Sequence, residues 1–320
     1  MKTVEEYSSI INNAILGVHF QPPYSLSDPI VYTMRGNGKR LRPVLTLAVA
    51  EALGVSPHRV LGPAVAVEVY HNFTLLHDDV MDNSPMRRGQ PSVWKKWNTA
   101  QAILSGDAML SVALDCLLHV CLPNEVIVEL VRCFNRIALD VDAGQQFDMD
   151  FEKRYDVILE EYIKMISLKT GALLGGACLI GAICGGAPAR VRTAFYDYGK
   201  YLGIAFQIQD DILDVFGDEA TLGKPIGGDI LNDKHTWLYI SAKYATPETM
   251  ADLYRQHLSG TEKITAIRSV YEQYGLQEKA EREVARYLQI AVDAIATTGL
   301  DENTQSFFTD FAHSLIGRKK

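Results

Sequence analysis

Long segments in which apolar residues recur at helical spacing occupy most of this chain of 320 residues. The apolar side chains return every three or four positions, which is typical of amphipathic helices, and no convincing strand pattern appears. Ser56-Pro57 predicts an N-cap followed by proline at the first helical position, and a helix from there could reach about Asp82. Further long helices are predicted over residues 99–120, 124–151, 160–183 and 188–215.

Several long helices that are apolar on most sides predict an all-α bundle whose inner helices are buried. Glycine and proline breakers divide the chain into about a dozen helical pieces. The sequence has no short repeat and no low-complexity linker, so we expect a single domain over residues 1–320.

Residues 170–189 carry no charged side chain and would be long enough to span a membrane. Six glycines make this segment only mildly apolar, as expected of a central helix that its neighbours approach closely. We therefore predict a buried helix and no membrane span.

Charge and cysteine content narrow the possible partners and locations. The formal net charge of −8 argues against nucleic-acid binding driven by overall positive charge. The five cysteines have no metal-binding spacing, which predicts reduced and mostly buried thiols. The acidic N-terminus lacks the basic start of a signal peptide, so we expect a cytoplasmic protein.

Two acidic motifs with the same spacing stand in apolar surroundings: Asp78-Asp79-Val80-Met81-Asp82 and Asp210-Asp211-Ile212-Leu213-Asp214. In a helix the first and last carboxylates of each motif lie one turn apart on the same face. Burying unpaired carboxylates is costly, and hard oxygen ligands suit Mg²⁺, which bridges carboxylates to phosphate. One such motif could equally be an exposed acidic helix end. Two motifs favour a site for metal and diphosphate.

Basic residues occur near these motifs and could bind phosphate. Each alone has an ordinary explanation as solvated surface, a loop lysine or a structural histidine. Arginine can hold phosphate oxygens bidentately, and lysine provides a point charge. Together they predict two phosphorylated groups, one bound through metal and one bound directly. The candidates are Lys39, Arg40, Arg42, His71, Arg87, Arg88, Lys169, Lys224 and Lys234.

The order of these motifs resembles that of the trans-isoprenyl diphosphate synthases. The resemblance rests on Gly38-Lys39-Arg40-Leu41-Arg42-Pro43, the two acidic motifs, Arg87-Arg88-Gly89, Gly144-Gln145, Lys169-Thr170, Phe206-Gln207 and Gly223-Lys224. It implies the isoprenoid synthase fold, a single-domain bundle around a deep central cavity, and a homodimer. It also implies condensation of isopentenyl diphosphate with dimethylallyl, geranyl or farnesyl diphosphate. Diphosphate would be released and farnesyl or geranylgeranyl diphosphate made, with three Mg²⁺ ions per active site.

The resemblance also implies a role for each matching residue. Asp78, Asp82 and Asp210 would bind Mg²⁺, with Asp79, Asp211 and Asp214 in support. Arg87, Lys169, Lys224 and Lys234 would hold the allylic diphosphate. Isopentenyl diphosphate would bind without metal to Lys39, Arg42, His71 and Arg88. Thr170 and Gln207 would face the developing carbocation, so Lys169, Thr170, Gln207, Asp78 and Asp210 are the candidate catalytic residues.

Phe73 and Thr74, shortly before the first motif, match positions that set product length in short-chain members of this family. The basic residues 318–320 resemble the tail of eukaryotic farnesyl diphosphate synthases, although a frayed terminus is the simpler interpretation. A class I terpene cyclase is an alternative, but it would not need a second, metal-free diphosphate site. A non-catalytic partner subunit is another, although both acidic motifs are complete here.

Overall fold

The computed structural model describes residues 1–18, 23–36, 38–217, 226–256 and 258–317. These residues are predominantly helical, which confirms the predicted all-α fold. The described residues contain more helices than the predicted dozen, partly because two of these helices are single turns. The α-helices are α1 (Val4–Leu16), α2 (Tyr24–Met34), α3 (Leu41–Ala52), α4 (Leu61–Met81), α5 (Val93–Lys96), α6 (Thr99–Leu118), α7 (Asn124–Phe151), α8 (Leu159–Ile166), α9 (Ala172–Cys184), α10 (Ala189–Phe216), α11 (Gly228–Leu231), α12 (Trp237–Ala245), α13 (Pro247–Arg255), α14 (Gly260–Gln273), α15 (Leu276–Ala296) and α16 (Glu302–Ile316).

The predicted ends of the long helices are close to those observed, with two local exceptions. Helix α7 has the predicted bounds, and α6 and α10 differ from prediction by one or two residues. The chain after Ser56 first forms a 3₁₀ turn, Pro57–Val60, and α4 begins only at Leu61. Ser56 occupies the N-cap position of this 3₁₀ turn, as predicted, but its side chain makes no capping hydrogen bond. Pro57 does occupy the first position of the turn, where its missing N–H costs nothing.

The second exception is a π-helical turn, Ser167–Gly171, between α8 and α9. Sequence spacing predicted one uninterrupted α-helix over residues 160–183. A π turn inserts an extra residue into one helical turn, and such turns occur frequently at functional sites. Here the turn contains Lys169 and Thr170, two of the candidate catalytic residues.

A two-stranded antiparallel hairpin follows α4, with strands Met86–Arg87 and Gln90–Pro91. The two loop residues, Arg88 and Gly89, have φ of 52° and 76°. Positive φ at both positions identifies a type I′ turn, whose twist matches that of the strands. Sequence analysis found no strand pattern here, because two-residue strands are too short to produce an alternating pattern.

The chain divides into two compact units. The first comprises Met1–Arg136, Gly176–Tyr196 and Thr298–Thr304. Residues 43–50 of its helix α3 are all buried, and the Thr46 hydroxyl donates a hydrogen bond to the Ala177 carbonyl oxygen at 3.0 Å. This bond joins segments that are 131 positions apart in sequence.

The second unit comprises Ile137–Gly175, Asp197–Thr297 and Gln305–Lys320. Its core contains buried apolar side chains from α8, α10, α12, α14 and α15. The Tyr198 hydroxyl donates to the Phe308 carbonyl oxygen at 2.8 Å and ties α10 to α16. The single domain and its deep central cavity stay predictions.

Two described helical segments, Thr99–Leu118 and Leu159–Cys184, are long and apolar enough to cross a membrane by length and composition alone. In the most apolar stretch of the second, 78% of the residues are buried inside the protein, as in the core helix of a soluble protein. The corresponding share in the first is 33%. All five cysteines are free thiols, but only Cys178 and Cys184 are fully buried, and Cys121 is exposed.

Candidate active site

The first acidic motif lies at the C-terminal end of α4, where Asp82 is the C-cap residue. Carboxylates at this end of a helix are unfavourable, because the macrodipole already places partial negative charge there. Asp79 is 3% exposed, whereas Asp78 and Asp82 are half-buried. Three crowded carboxylates at the negative end of a helix require a cation nearby.

Arg87, on the hairpin, supplies part of that charge. Its Nε and Nη2 donate hydrogen bonds to Oδ1 of Asp79 at 2.9 and 2.6 Å. Nη2 also lies 3.6 Å from Oδ2 of Asp78. Burial raises the pKa of Asp79, although the hydrogen bonds from Arg87 oppose this shift. The structure therefore brings Arg87, a predicted ligand of the allylic diphosphate, against the first motif.

The second motif, on α10, has two carboxylates that support neighbouring structure. Oδ2 of the buried Asp211 accepts hydrogen bonds from the Tyr162 hydroxyl at 2.6 Å and from the Trp237 backbone N–H at 3.2 Å. Burial and the nearby Asp229 raise the pKa of Asp211. Asp214 is fully buried and accepts a hydrogen bond from the Asp229 backbone N–H at 2.9 Å. These contacts tie α10 to α8 and to the segment that begins α11.

Asp210 is half-buried, in contrast to Asp211 and Asp214. The two motifs therefore share a pattern: each has at least one buried carboxylate engaged by protein donors and at least one that is more accessible. This pattern is compatible with the predicted division into metal ligands and supporting residues.

The carboxylates of the acidic motifs fit one way in which proteins bind Mg²⁺. Among the described residues, no three His, Cys, Asp or Glu side chains are grouped so that they could hold a metal ion on their own. Mg²⁺ commonly binds through one or two carboxylates, several waters and substrate phosphate rather than in an all-protein cage. Carboxylates one helical turn apart, as in Asp78 and Asp82, suit this mode.

Arg42 and His71 form a pair in the first unit. Nη1 of Arg42 lies 3.0 Å from Nε2 of His71. A guanidinium can only donate hydrogen bonds, so Nε2 must be the acceptor and the imidazole is neutral. Burial lowers the pKa of His71 well below its ordinary value, and the neighbouring Arg42 and Arg88 lower it further. Histidine thus acts here as a neutral acceptor that orients Arg42.

Arg88 is exposed on the type I′ turn, and its guanidinium lies against Gly38. A Cβ atom at Gly38 would be only 2.8 Å from Nη1 of Arg88, so a larger residue there would displace the guanidinium. The adjacent Lys39 is also exposed. The structure therefore brings the two segments with predicted isopentenyl diphosphate ligands together, and the cations can attract a diphosphate without metal.

The π turn presents Lys169 and Thr170 to different partners. Nζ of Lys169 lies 2.6 Å from Oδ2 of Asp148 on α7. The Thr170 hydroxyl donates to Oε1 of Gln207 on α10 at 3.0 Å. At Gly144 of α7, a Cβ atom would lie 2.2 Å from the Lys169 backbone nitrogen, so only glycine lets α7 approach the turn this closely.

The remaining candidate residues lie in a loop, on α4 or outside the described residues. Lys234 is half-buried in the loop after α11, where its backbone N–H donates to the Asp229 carbonyl oxygen at 2.9 Å. Lys224 and the basic tail 318–320 lie outside the described residues. The half-buried Phe73 ring packs 5.4 Å from that of Tyr70 and 4.8 Å from that of His77, between ring centroids.

Sequence reasoning missed the residues that hold the candidates in place. Asp148, Tyr162 and the backbone of Trp237 and Asp229 are far from the motifs they contact in sequence. Asp148 pairs with a residue 21 positions away, and Tyr162 with one 49 positions away. No local spacing signals such contacts, and only the fold reveals them.

The chain is similar to known proteins over most of its length. Residues 23–274 match the polyprenyl synthetase family. The chain belongs to the polyprenyl synthetase family. It is 36% identical over 298 residues to a short chain isoprenyl diphosphate synthase of Methanothermobacter thermautotrophicus, covering 92% of this chain and 91% of that protein.

Two further similarities support the same class. The (2E,6E)-farnesyl diphosphate synthase of Mycobacterium tuberculosis is 35% identical over 289 residues, covering 88% of this chain and 80% of that protein. A crystal structure of a geranylgeranyl pyrophosphate synthase has a TM-score of 0.94 and 38% identity, with 100% of both chains covered. This polyprenyl synthetase therefore has the predicted isoprenoid synthase fold, and the prediction of a short-chain trans-prenyltransferase is confirmed.

The neutral state of His71 has a consequence for stability. Because its pKa is depressed in the folded protein, the unfolded chain takes up a proton near pH 6.5 that the folded protein takes up only at lower pH. This contribution to the free energy of unfolding is complete above about pH 6.5 and is lost as the pH falls below it.

In His71→Gln the amide oxygen can accept a hydrogen bond from Arg42, and the side chain does not titrate. We expect the free energy of unfolding of wild type to fall relative to that of the variant by on the order of 1 kcal/mol between pH 7.5 and 5.5, measured by urea unfolding. An unchanged difference between the two proteins at these pH values would show that His71 is not held neutral.

Proposed function

We propose that this polyprenyl synthetase condenses isopentenyl diphosphate head-to-tail with an allylic diphosphate and releases diphosphate. The acceptable primers would be dimethylallyl, geranyl and farnesyl diphosphate, and the product farnesyl or geranylgeranyl diphosphate. The observation that carries the proposal is the presence of two complete acidic motifs together with a separate cluster of basic residues. The names of the farnesyl and geranylgeranyl diphosphate synthases among its relatives support it.

The acidic motifs would bind the diphosphate of the allylic substrate through three Mg²⁺ ions. Asp78, Asp82 and Asp210 are the proposed ligands, and Asp79, Asp211 and Asp214 hold the surrounding structure in place. When bound, Mg²⁺ neutralises the negative charge that develops on the departing diphosphate. Arg87, Lys169, Lys234 and Lys224 would add positive charge around the same leaving group.

Isopentenyl diphosphate would bind directly to basic side chains. Lys39, Arg42 and Arg88 are the proposed ligands, and His71 orients Arg42 through the hydrogen bond at 3.0 Å. After ionisation, the alkene of isopentenyl diphosphate attacks the allylic cation, and loss of a proton completes the step. Thr170 and Gln207, joined by a hydrogen bond of 3.0 Å, would direct oxygen dipoles toward the cation.

A class I terpene cyclase is the second candidate function. It would ionise an allylic diphosphate with the same metal chemistry, but it would not use Lys39, Arg42 and Arg88 to hold a second diphosphate. The clustering of Arg88 against Gly38, beside Lys39, favours condensation. The completeness of both acidic motifs disfavours a non-catalytic partner subunit.

We further propose a cytoplasmic homodimer without a membrane span and without nucleic-acid binding. Helix α6 supports the dimer, because it is strongly apolar but only 33% of its most apolar stretch is buried. Ile103 and Leu104 are 44% and 56% exposed on this helix. A face of this kind is commonly covered by a second copy of the chain.

The first experiment supplies the purified chain with isopentenyl and dimethylallyl diphosphate, with Mg²⁺ or with a chelator. We expect longer prenyl diphosphates only with Mg²⁺, and at least a hundredfold loss of turnover in Asp78→Asn and Asp210→Asn, because the leaving group loses metal. The exposed substitution Asp252→Asn is the control and should keep wild-type rates. Absence of elongation by the wild type would refute the function, and cyclic hydrocarbon products would indicate the terpene cyclase.

A second experiment tests whether Phe73 limits product length. Phe73→Ala removes bulk near the first motif and should shift the products toward longer chains, as determined by chromatography. Phe307→Ala, at a half-buried aromatic of α16, controls for general loosening. The same product distribution in Phe73→Ala and wild type would exclude Phe73 from this role. Thr74 would be tested in the same assay.

A third experiment tests the homodimer by light scattering after size-exclusion chromatography. Leu104→Glu should convert the dimer to monomers, because it places charge in the proposed apolar interface. Tyr244→Glu, at a residue that is 80% exposed on α12, is the matched control and should remain dimeric. A wild-type chain that elutes as a monomer would rule out the proposed assembly.

A further inference from the structure

Arg40 lies between two proposed phosphate ligands, Lys39 and Arg42, yet it differs from both in its surroundings. It is only 5% exposed, whereas Lys39 is exposed and Arg42 is half-buried. Its φ of 52° places it in the left-handed region, which is uncommon for a residue with a long side chain. This conformation directs the Arg40 side chain inward at the start of α3.

The Arg40 guanidinium is surrounded by protein acceptors. Nη1 donates to Oε1 of Glu68 at 2.6 Å, and Nε donates to Oδ1 of Asn12 at 3.1 Å. Nη2 donates to the carbonyl oxygens of Met34 and Gly36 at 2.5 and 3.1 Å. A guanidinium has five N–H groups, so these four bonds use most of its donors inside the protein. Arg40 is therefore suited to fixing backbone and poorly suited to binding phosphate.

The network continues along α4 from Glu68 to Asn72. Both side chains are buried, and Nδ2 of Asn72 donates to Oε1 of Glu68 at 3.0 Å. Oδ1 of Asn72 in turn faces Nη1 of Arg88 at 3.5 Å, a long hydrogen bond. The path therefore runs from the segment that carries Lys39 and Arg42 to the turn that carries Arg88.

The two ends of this network, Arg40 and Arg88, meet at Gly38. A Cβ atom there would lie 2.8 Å from Nη1 of Arg88 and 3.1 Å from Nη1 of Arg40, so both guanidinium groups abut this residue. Buried, hydrogen-bonded networks of this kind rigidify their surroundings when every member has a partner. The distance between the two groups of proposed phosphate ligands is thus set by buried atoms that do not themselves contact the ligand.

We propose that Arg40, Glu68 and Asn72 are positioning residues for the metal-free diphosphate, and that they control the affinity for isopentenyl diphosphate without touching it. This inference rests on the proposed function. It predicts a selective effect: weakening the network should separate Lys39 and Arg42 from Arg88 and leave the metal-bound substrate unaffected. A purely structural role would instead reduce the amount of folded enzyme and lower the maximal rate, with both KM values unchanged.

Three single substitutions disturb the network in different ways. Arg40→Lys keeps the charge but has too few donors for four acceptors, and Glu68→Gln removes the negative charge with little change of shape. Asn72→Ser breaks the contact with Arg88 and keeps the Arg40–Glu68 ion pair, so it remains informative if a change to that buried pair prevents folding. Arg35→Lys, an exposed arginine of the same stretch, is the control.

The full-length variants would be compared by steady-state kinetics with each substrate varied in turn, and by calorimetric titration of isopentenyl diphosphate in the presence of a chelator. We expect at least a tenfold increase in KM and Kd for isopentenyl diphosphate in the three variants, with kcat and the KM for the allylic diphosphate within about threefold of wild type. Arg35→Lys should match wild type.

Unchanged KM and Kd for isopentenyl diphosphate in folded Asn72→Ser and Arg40→Lys would overturn the inference while the wild type still elongates. An equal increase of both KM values would also overturn it. A wild-type chain that does not elongate would refute the proposed function itself, and this inference with it.

Discussion

The contact between Asp79 and Arg87 is the interaction on which the proposed diphosphate site depends. Helix α4 ends in carboxylates, at the pole of its dipole where negative charge is least favourable. Arg87 offsets one of these charges through two hydrogen bonds to Asp79 and thereby fixes the hairpin against the helix end. Because the hairpin turns immediately after Arg87, the same contact determines where Arg88 lies.

In both acidic motifs, some carboxylates are buried and held by hydrogen bonds, and others are more accessible. Burial makes an isolated carboxylate costly, so Asp79, Asp211 and Asp214 are held by a guanidinium, a phenol or backbone N–H groups. The more accessible carboxylates Asp78, Asp82 and Asp210 stand on the backbone that these contacts immobilise. The proposed metal site would accept and release charged molecules, and ligands that remain accessible on a rigid frame would suit it.

Much of the fold was predictable because helical periodicity is a local property. The bounds of α7 followed directly from the spacing of apolar residues and from the flanking breakers. The π turn was not predictable from spacing, and Gly144 of another helix packs closely against it, a contact that no local pattern signals. The hairpin was missed since its strands have two residues each.

The residue types of the candidate site were visible in the sequence, but only the family resemblance, and not their spacing, assigned them different roles. Asp78 and Asp79 are neighbours of the same type, and only burial and the position of Arg87 distinguish them. The ion pair between Lys169 and Asp148 likewise depends on the packing of the π turn against α7. Three cations in the Lys39–Arg42 stretch looked equivalent, although one of them is buried.

The positive φ of Arg88 sets the stability of the turn against the proposed role of this residue in binding isopentenyl diphosphate. The first position of a type I′ turn favours asparagine, aspartate or glycine, and arginine adopts it at a cost. Selection of variants for thermostability alone would therefore favour replacement of Arg88. Engineering of a more thermostable enzyme should keep Arg88 and place stabilising substitutions at other positions.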